Sequence, residues 1–363
     1  MRVEVRPALK RTWVQALLVL GMFVAGVLAQ SPNPILPGRK PADIPTSWKA
    51  WIGEYSWPSE DEVAGRTYLV SERDGFIRIL QREGRSEKAK YESIDSFSIS
   101  ISPTDPAHRY LTIDRSGHRA FHLGDVAWSK VTPDGNATHQ VLIKPVKSID
   151  LLRKEALSAA PPQETGSFRK PELEELAPLD ASFHLDIRYA TSNDFLGTPV
   201  YSQARAFLER PAAAALVRVQ QKLKALGYGL LIHDAYRPWY VTKIFWDATP
   251  PEGKIFVADP AQGSRHNRGC AVDLTLYELA TGKPMEMPGT YDEMSPRSFP
   301  DYPGGTSLQR WHRDLLRRAM ESEGFTVYEA EWWHFDYQDW KEYPILNVPF
   351  EKLGLHAEAG AVH

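Results

Sequence analysis

The sequence predicts an α+β protein in which a small all-β, antiparallel, barrel-like domain precedes a larger domain of helices and strands. Short alternating apolar runs recur between Trp48 and about Ile149, whereas helical and strand patterns are interleaved beyond residue 179. The chain has 363 residues, of which 42% are hydrophobic and 11% aromatic. At ~100–200 residues per domain this is enough for two hydrophobic cores, which excludes a disordered or fibrous chain.

Charge and cysteine content restrict the chemistry. The chain has 43 Lys+Arg and 46 Asp+Glu residues and a formal net charge of −3, so no overall attraction to nucleic acid is expected. Cys270 is the single cysteine, which excludes an intramolecular disulfide and any site built from several thiolates. A metal ion would therefore have to be held by histidines and carboxylates.

The first 29 residues predict a cleaved signal peptide. Four basic residues precede an apolar run at 14–29, which ends in small residues. An uncleaved membrane anchor is the alternative, but the run of 16 residues is shorter than the ~20 needed to span a bilayer. We therefore expect export to a bacterial periplasm or the exterior, with no stable membrane span after cleavage. Residues 30–47 form a proline-rich leader.

Residues 48–150 predict the β-rich domain. Alternating runs recur with turn residues between them, at 67–70, 76–80, 110–113, 120–123 and 141–143. Asp74-Gly75 predicts a hairpin, because glycine accepts the positive φ that tight turns demand. The histidines of this half are scattered singly, so we predict no catalytic cluster in it. A ligand- or wall-binding barrel and a structural appendage both remain open.

A linker is predicted at 151–178, where four prolines lie among charges and no period is sustained. The following domain, residues 179–350, alternates strands and helices, and residues 351–363 form a tail. Its predicted elements are a strand at 183–189, a helix from Pro211 to Gly227, a strand at 230–234, a helix after Pro238, a strand at 270–276, a helix at 307–323 and a strand at 332–337.

Three clusters in this domain carry polar groups next to apolar strands. His266 lies in a glycine-bounded turn and Asp273 follows within an apolar strand, where a carboxylate needs a cationic partner to stay ionised. His334 lies among aromatic residues three positions after Glu331. Arg237 follows another strand and directly precedes a proline.

Each residue alone has a structural explanation, as a turn residue, a buried acceptor, a core histidine or a surface cation. Together, two histidines and one aspartate leave a fourth tetrahedral position for water, as catalytic zinc requires. Glu331 is then the candidate general base. Residues three apart in a regular strand point to opposite faces, so Glu331 and His334 converge only if the strand is bulged or ends between them, or if the glutamate reaches around.

The spacing of these residues resembles the zinc-dependent peptidases of the D-alanyl-D-alanine carboxypeptidase and dipeptidase family. The motifs that carry the resemblance are Ser264-x-His266-x-x-Gly269-x-Ala271-x-Asp273 and Glu331-x-Trp333-His334. Those that indicate the D-Ala-D-Ala dipeptidase branch, of the vancomycin-resistance type, are Asp234-x-Tyr236-Arg237-Pro238 and Ile187-Arg188-Tyr189-Ala190-Thr191. The resemblance covers residues 185–343 and implies a zinc D-Ala-D-Ala peptidase fold, an antiparallel sheet with helices.

The resemblance also implies roles for individual residues. His266, Asp273 and His334 would bind one Zn²⁺ per chain. Glu331 would be the general base and Arg237 would stabilise the oxyanion. Two further residues, Ser264 and Asp292, would bind the free amino terminus of a dipeptide. Cys270 lies between the ligands and is interpreted as a packing residue.

The predicted function is thus that of an exported zinc metallopeptidase that hydrolyses D-alanyl-D-alanine. Its partner would be a small D-amino-acid dipeptide or a peptidoglycan-derived peptide. A D,D- or L,D-carboxypeptidase acting on peptidoglycan stem peptides is an alternative, because a short segment between Arg237 and His266 would roof the site only thinly. A non-catalytic cell-wall binding module is the third possibility, although binding alone has no need of the base Glu331.

Overall fold

A computed structural model describes residues 33–56, 67–83, 90–97, 109–113, 119–123, 126–130 and 142–354. The predicted signal peptide and residues 355–363 of the predicted tail lie outside the described residues. Contacts divide the chain into two compact units, residues 1–36 and 37–363, and all elements below belong to the second unit. Among the described residues, every helix is too short or too polar to cross a bilayer.

The first part of the chain forms a seven-stranded antiparallel sheet. A short helix precedes it, α1 at Thr46–Lys49. Its strands are β1 Gly53–Ser56, β2 Thr67–Arg73, β3 Phe76–Glu83, β4 Lys90–Phe97, β5 Arg109–Ile113, β6 Arg119–Leu123 and β7 Val126–Lys130. Asp74 and Gly75 connect β2 to β3 as a two-residue turn, both with positive φ (53° and 81°), as the sequence predicts.

The strand order of this sheet is β4-β3-β2-β1-β7-β6-β5. Among the described strands, the two edges β4 and β5 do not pair with each other, so the barrel-like closure predicted from the sequence is not confirmed. Its core lies on one face near β1, β2 and β3. The buried residues of that core are Trp51, Ile52, Tyr55, Tyr68, Val70, Ile77 and Ile79.

The remainder forms a second, mixed layer of helices and strands. Its elements are α2 Ile149–Ser158, β8 Leu173–Glu175, β9 His184–Leu185, β10 Phe207–Glu209, α3 Arg210–Lys224, β11 Tyr228–Asp234, α4 Trp239–Ala248, β12 Ala271–Glu278, α5 Ser307–Glu321, β13 Phe325–Tyr328 and β14 Glu331–Tyr337. The strands β13-β14-β12-β11-β9 form one sheet in that order, antiparallel except for the β11–β9 pair, and β8 pairs with β10. These helices and mostly antiparallel strands confirm the predicted α+β class.

The segment 151–178, predicted as a linker, carries structure of its own. Ser148 caps α2, and this helix packs against α4 with Leu152 and Ala156 fully buried. Further along, the Glu164 carboxylate accepts a 2.5 Å bond from Arg268. The apolar positions 149, 152 and 156 have helical spacing, but a single helix of 10 residues is too short to produce a sustained period.

The strand predicted at 183–189 is shorter than expected. Only His184–Leu185 pairs with β11, and a 3-10 turn at Arg188–Ala190 follows. This turn directs Tyr189, which is 3% exposed, into the core beside the predicted site.

Glu72 of β2 connects the first sheet to the second layer. Its Oε2 accepts a 2.7 Å bond from the backbone N–H of Ser307, at the start of α5. Nearby, an apolar cluster spans the same boundary and consists of Leu69, Leu80 and Tyr302. A buried carboxylate at a helix N-terminus is stabilised by the free N–H groups there, so the first sheet is fixed against the second layer.

Candidate active site

A short 3-10 turn at Arg265–Arg268 positions His266 just before β12. Ser264 Oγ accepts a 3.3 Å bond from the His266 N–H, and Asn267 Oδ1 accepts a 2.7 Å bond from the Ser264 N–H. Gly269 ends the turn at φ 65°, and a Cβ on this residue would lie only 2.5 Å from a Leu173 methyl carbon. Glycine is therefore required at this corner, both for its backbone conformation and for space.

Hydrogen bonds determine which nitrogen of each histidine is available as a metal ligand. His266 Nδ1 lies 2.7 Å from the carbonyl oxygen of Ala235, which can only accept a hydrogen bond, so Nδ1 carries a proton. The lone pair of Nε2 is therefore available to bind a metal ion. His334 Nε2 lies 2.9 Å from Asp336 Oδ1, so Nδ1 is the nitrogen that is available for a metal ion. Partners of this kind fix the tautomer and the orientation of metal-binding imidazoles.

The two remaining nitrogens and one carboxylate oxygen form a compact triangle. His266 Nε2 lies 3.1 Å from His334 Nδ1, and Asp273 Oδ1 lies 3.4 Å and 3.0 Å from these two atoms. Ligands around a tetrahedral zinc with bonds of roughly 2.0–2.1 Å are separated by roughly 3.3–3.4 Å. Asp273 and His334 are also direct register partners on β12 and β14, so the sheet itself holds two of the three candidate ligands side by side.

Charge and burial favour a cation inside this triangle. Among the described residues Asp273 Oδ1 accepts no hydrogen bond, although the residue is only 2% exposed. Burial would raise the pKa of Asp273, but the adjacent imidazoles of His266 and His334 lower it well below its usual range. Burial would lower the pKa of His334, but Asp273 and Asp336 raise it to about 10. The carboxylates thus favour positive charge at His334 Nδ1, which a proton or a divalent metal ion could supply. The three residues fit a metal ion.

A β-bulge brings Glu331 to the same point. Val327 pairs with Phe335, but the next residue, Tyr328, pairs with Glu331, so β14 contains extra residues at this position. Glu331 Oε2 consequently lies 3.8 Å from His334 Nδ1, and its side chain is 29% exposed. Burial raises the pKa of Glu331, while His334 opposes and Asp273 reinforces that shift. A carboxylate with a raised pKa is well suited to accept a proton near neutral pH.

Arg237 provides a fixed positive charge on the other side of Asp273. Its Nε and Nη2 donate to Asp234 Oδ2 at 3.0 and 2.8 Å, and Nη2 lies 4.0 Å from Asp273 Oδ2. Tyr201 donates a 2.6 Å bond to the other oxygen of Asp234. Arg237 is 8% exposed, and the Asp234 charge raises its pKa although burial opposes this, so the guanidinium stays charged.

Asp292 and Ser264 both line the cavity that contains these residues. Asp292 has φ 55°, an uncommon backbone conformation for a non-glycine residue, and its Oδ2 accepts a 2.9 Å bond from the Tyr189 hydroxyl. Burial and the charges of Asp273 and Glu331 raise the pKa of Asp292 well above its ordinary value. Ser264 also caps the turn that carries His266, so its hydroxyl has a structural role as well.

Sequence reasoning missed several residues that hold the site in place. Tyr291 lies 3.1 Å from Asp273 Oδ2 through its hydroxyl, and its ring stacks on His233 with centroids 4.6 Å apart. Asp336 could have been found, because it lies two residues after His334 on the same face of β14. Tyr291 had no comparable signal, since it belongs to an irregular loop. Cys270 is fully buried, and burial raises the pKa of its thiol, in line with packing.

The cavity has a volume of about 400 Å³. The proposed ligands, Arg237 and Asp292 form one part of its wall, and Arg265, Tyr328 and Trp340 form another. Two imidazoles and a carboxylate around one open position, with a glutamate and an arginine facing it, define a metal-dependent hydrolase.

Comparisons with known proteins specify the class further. The family model Peptidase_M15, described as D-ala-D-ala dipeptidase, matches residues 169–351. The D-alanyl-D-alanine dipeptidase of Escherichia coli (strain K12) is 34% identical over 179 residues, which cover 49% of this chain and 91% of that protein. The protein of the same name from Enterococcus faecalis is 37% identical over 183 residues, or 46% and 90% of the two chains. That of Streptomyces coelicolor is 35% identical over 184 residues, again 46% and 90%.

The chain therefore belongs to the D-Ala-D-Ala dipeptidase family of M15 metallopeptidases. This confirms the resemblance found in the sequence. The family match begins at residue 169, so the seven-stranded sheet and α2 lie outside it.

Proposed function

We propose that this protein hydrolyses free D-alanyl-D-alanine to two molecules of D-alanine, with one Zn²⁺ bound per chain. The observation that carries the proposal is the convergence of three buried donor atoms, with separations of 3.0, 3.1 and 3.4 Å, beside Glu331. The names of the relatives support the same substrate.

His266, Asp273 and His334 would hold the metal ion. Two imidazole nitrogens and one carboxylate oxygen are a donor set that suits zinc and leaves a position open for catalysis. When bound, zinc polarises the scissile carbonyl and lowers the pKa of water toward neutrality.

Glu331 and Arg237 would perform the chemistry that belongs to the protein. Glu331 takes a proton from the attacking water and later delivers it to the leaving amine, which completes a general acid-base cycle. Arg237 stabilises the negative charge that develops on the carbonyl oxygen, and Asp234 prevents it from moving during the reaction. Trp333, which is 3% exposed and lines the cavity, helps to exclude water and so strengthens these charge interactions.

Asp292, assisted by Ser264, would bind the free amino group of the dipeptide. A carboxylate that is buried near Asp273 and Glu331 is destabilised by their negative charges. The substrate ammonium group would relieve this repulsion, so binding should favour an unblocked amine.

The amino-terminal sequence supports export to a bacterial periplasm or the exterior, with residues 1–29 as a cleaved signal. The substrate would there be a small dipeptide derived from peptidoglycan. Three further features remain predictions: the domain boundaries at residues 48, 151 and 179, the leader at 30–47, and a barrel-like closure of the first sheet.

A carboxypeptidase acting on longer stem peptides is the second candidate. A cavity of about 400 Å³ lies within the range of roughly 300–1,000 Å³ typical of sites for drug-sized ligands, which are larger than D-Ala-D-Ala. The exposed aromatic ring of Phe256 at the cavity wall could contact such a longer substrate.

Release of D-alanine from D-Ala-D-Ala and from its N-acetyl derivative distinguishes these functions. We expect zinc-dependent turnover of the free dipeptide, with at least a tenfold preference over the acetylated one. Faster cleavage of the acetylated peptide would instead identify a carboxypeptidase. If the zinc-loaded protein cleaves neither substrate and is as inactive as a Glu331→Gln variant, the protein is a binding module.

A further inference from the structure

Three arginines line the cavity, and they differ in how their guanidinium groups are engaged. Arg237 donates to Asp234, as described above. Arg268 donates to Glu164 and to the carbonyl oxygen of Tyr343. Arg265 has one ionic contact among the described residues, between its Nε and Asp336 Oδ2 at 3.0 Å. Its two terminal nitrogens donate no hydrogen bond to any described residue.

Arg265 is held in place without the use of these terminal nitrogens. The carbon at the centre of the guanidinium lies 5.3 Å from the ring centroid of Tyr328 and 5.0 Å from that of Trp340. Such contacts orient a cation on aromatic rings and leave its edge available. The side chain is 37% exposed and faces the cavity. A planar, preorganised edge with two parallel N–H groups matches a carboxylate.

Arg265 also lies at the His334 end of the three proposed metal ligands. Its partner Asp336 bonds to His334, and the Tyr328 ring packs on His334 with centroids 5.5 Å apart. Asp292, the proposed amine site, lies instead with Tyr189 and Arg237 near Asp273. A zwitterionic dipeptide that spans the metal ligands would therefore meet a carboxylate at one end and a guanidinium at the other.

We propose that Arg265 binds the free carboxylate of the substrate and so selects peptides with an unblocked carboxyl end. This inference rests on the proposed function, because it assumes that a peptide is cleaved at the metal site. The competing explanation is structural: Arg265 would only hold Asp336 in place for His334. The two roles differ in which substrates a substitution affects.

The test compares D-Ala-D-Ala with its carboxyl-terminal amide, using the full chain. We expect the wild-type enzyme to prefer the free acid by roughly 10- to 100-fold in kcat/KM, the effect of losing one charged hydrogen-bond partner. In Arg265→Met, kcat/KM for the acid falls by that factor while the value for the amide changes less than threefold. Arg265→Lys, which keeps the charge, retains part of the preference. Arg268→Met, in the same turn, keeps the acid-to-amide ratio of the wild type.

Zinc content and the unfolding temperature of each variant are measured beside these rates. Equal losses for acid and amide in Arg265→Met, with or without loss of zinc, would overturn the inference and indicate the structural role. An unaltered acid preference in that variant would overturn it as well. Both results leave wild-type turnover intact, whereas a wild-type enzyme that cleaves neither peptide overturns the proposed function and this inference together.

Discussion

The hydroxyl oxygen of Tyr291 lies 3.1 Å from Asp273 Oδ2, while Asp273 Oδ1 approaches the two histidine nitrogens. The tyrosine thus occupies one oxygen of the carboxylate and leaves the other for a metal ion. Because Tyr291 belongs to a loop and Asp273 to a central strand, the loop and the sheet together determine the orientation of this proposed ligand.

Tyr291→Phe should weaken metal binding without abolishing it. Loss of a partner that orients a ligand typically reduces metal affinity by roughly 10- to 100-fold. Competition with a chelator of known affinity measures the change. Tyr277→Phe is the matched control, since that hydroxyl donates to the carbonyl oxygen of Ser182 at 2.7 Å and not to a ligand. Equal zinc affinities of Tyr291→Phe and the wild type would exclude the orienting role.

Glu331→Ala and His266→Ala should differ in their effects on zinc content and turnover. The first removes the proposed base but none of the three proposed donor atoms, so we expect normal zinc content and a rate lower by roughly 10²- to 10⁴-fold. The second removes one donor, so zinc content and turnover should fall together. Metal analysis of the purified proteins beside the dipeptide assay separates the two. Stoichiometric loss of zinc from Glu331→Ala would make it a ligand and not the base.

Glu209 should make the stability of the protein depend on pH. The residue is fully buried, Oε1 accepts no hydrogen bond among the described residues, and burial raises its pKa to about 7. The unfolded carboxyl group loses its proton near ~4.3. The stability that the protonated group contributes is therefore complete below that pH and is lost as the pH rises through about 7.

Glu209→Gln should remove most of this dependence. Relative to the wild type, the variant should gain up to about 3 kcal/mol in free energy of unfolding between pH 5 and pH 8. Urea denaturation at the two pH values measures the gain. Glu351→Gln, at an exposed position, should show no such gain. A difference between Glu209→Gln and wild type that is the same at both pH values would contradict this account.

Leu152 and Leu151 test whether residues 151–178 are part of the second layer. Leu152 is fully buried, whereas Leu151 is 45% exposed in the same helix. Leu152→Ala should cost about 2–5 kcal/mol through lost burial and the cavity left behind, and Leu151→Ala less than about 0.5 kcal/mol. Thermal unfolding of the full chain gives both values. Similar small effects at the two positions would support the interpretation of this segment as a linker.

Short-range patterns explain which parts of the fold the sequence could predict. The Asp74-Gly75 hairpin, the helix opened at Pro211 and the helix predicted at 307–323 depend on local backbone preferences, and they are present in the structure. The helix at 149–158 packs against α4, and β9 pairs with β11 over only two residues. Both features therefore depend on contacts with elements that are distant in the sequence. Such packing is not encoded in a single short window.

The sequence alone determined the residue types available for the site: two histidines, an aspartate, a glutamate and an arginine, with no thiolate partner for Cys270. Their spacing was enough to indicate the family. Only the tertiary structure decided which atoms meet, because the β14 bulge turns Glu331 toward His334 and backbone carbonyl and carboxylate partners select one nitrogen of each histidine. These choices depend on contacts between residues up to 68 positions apart, such as His266 and His334, which periodicity cannot register.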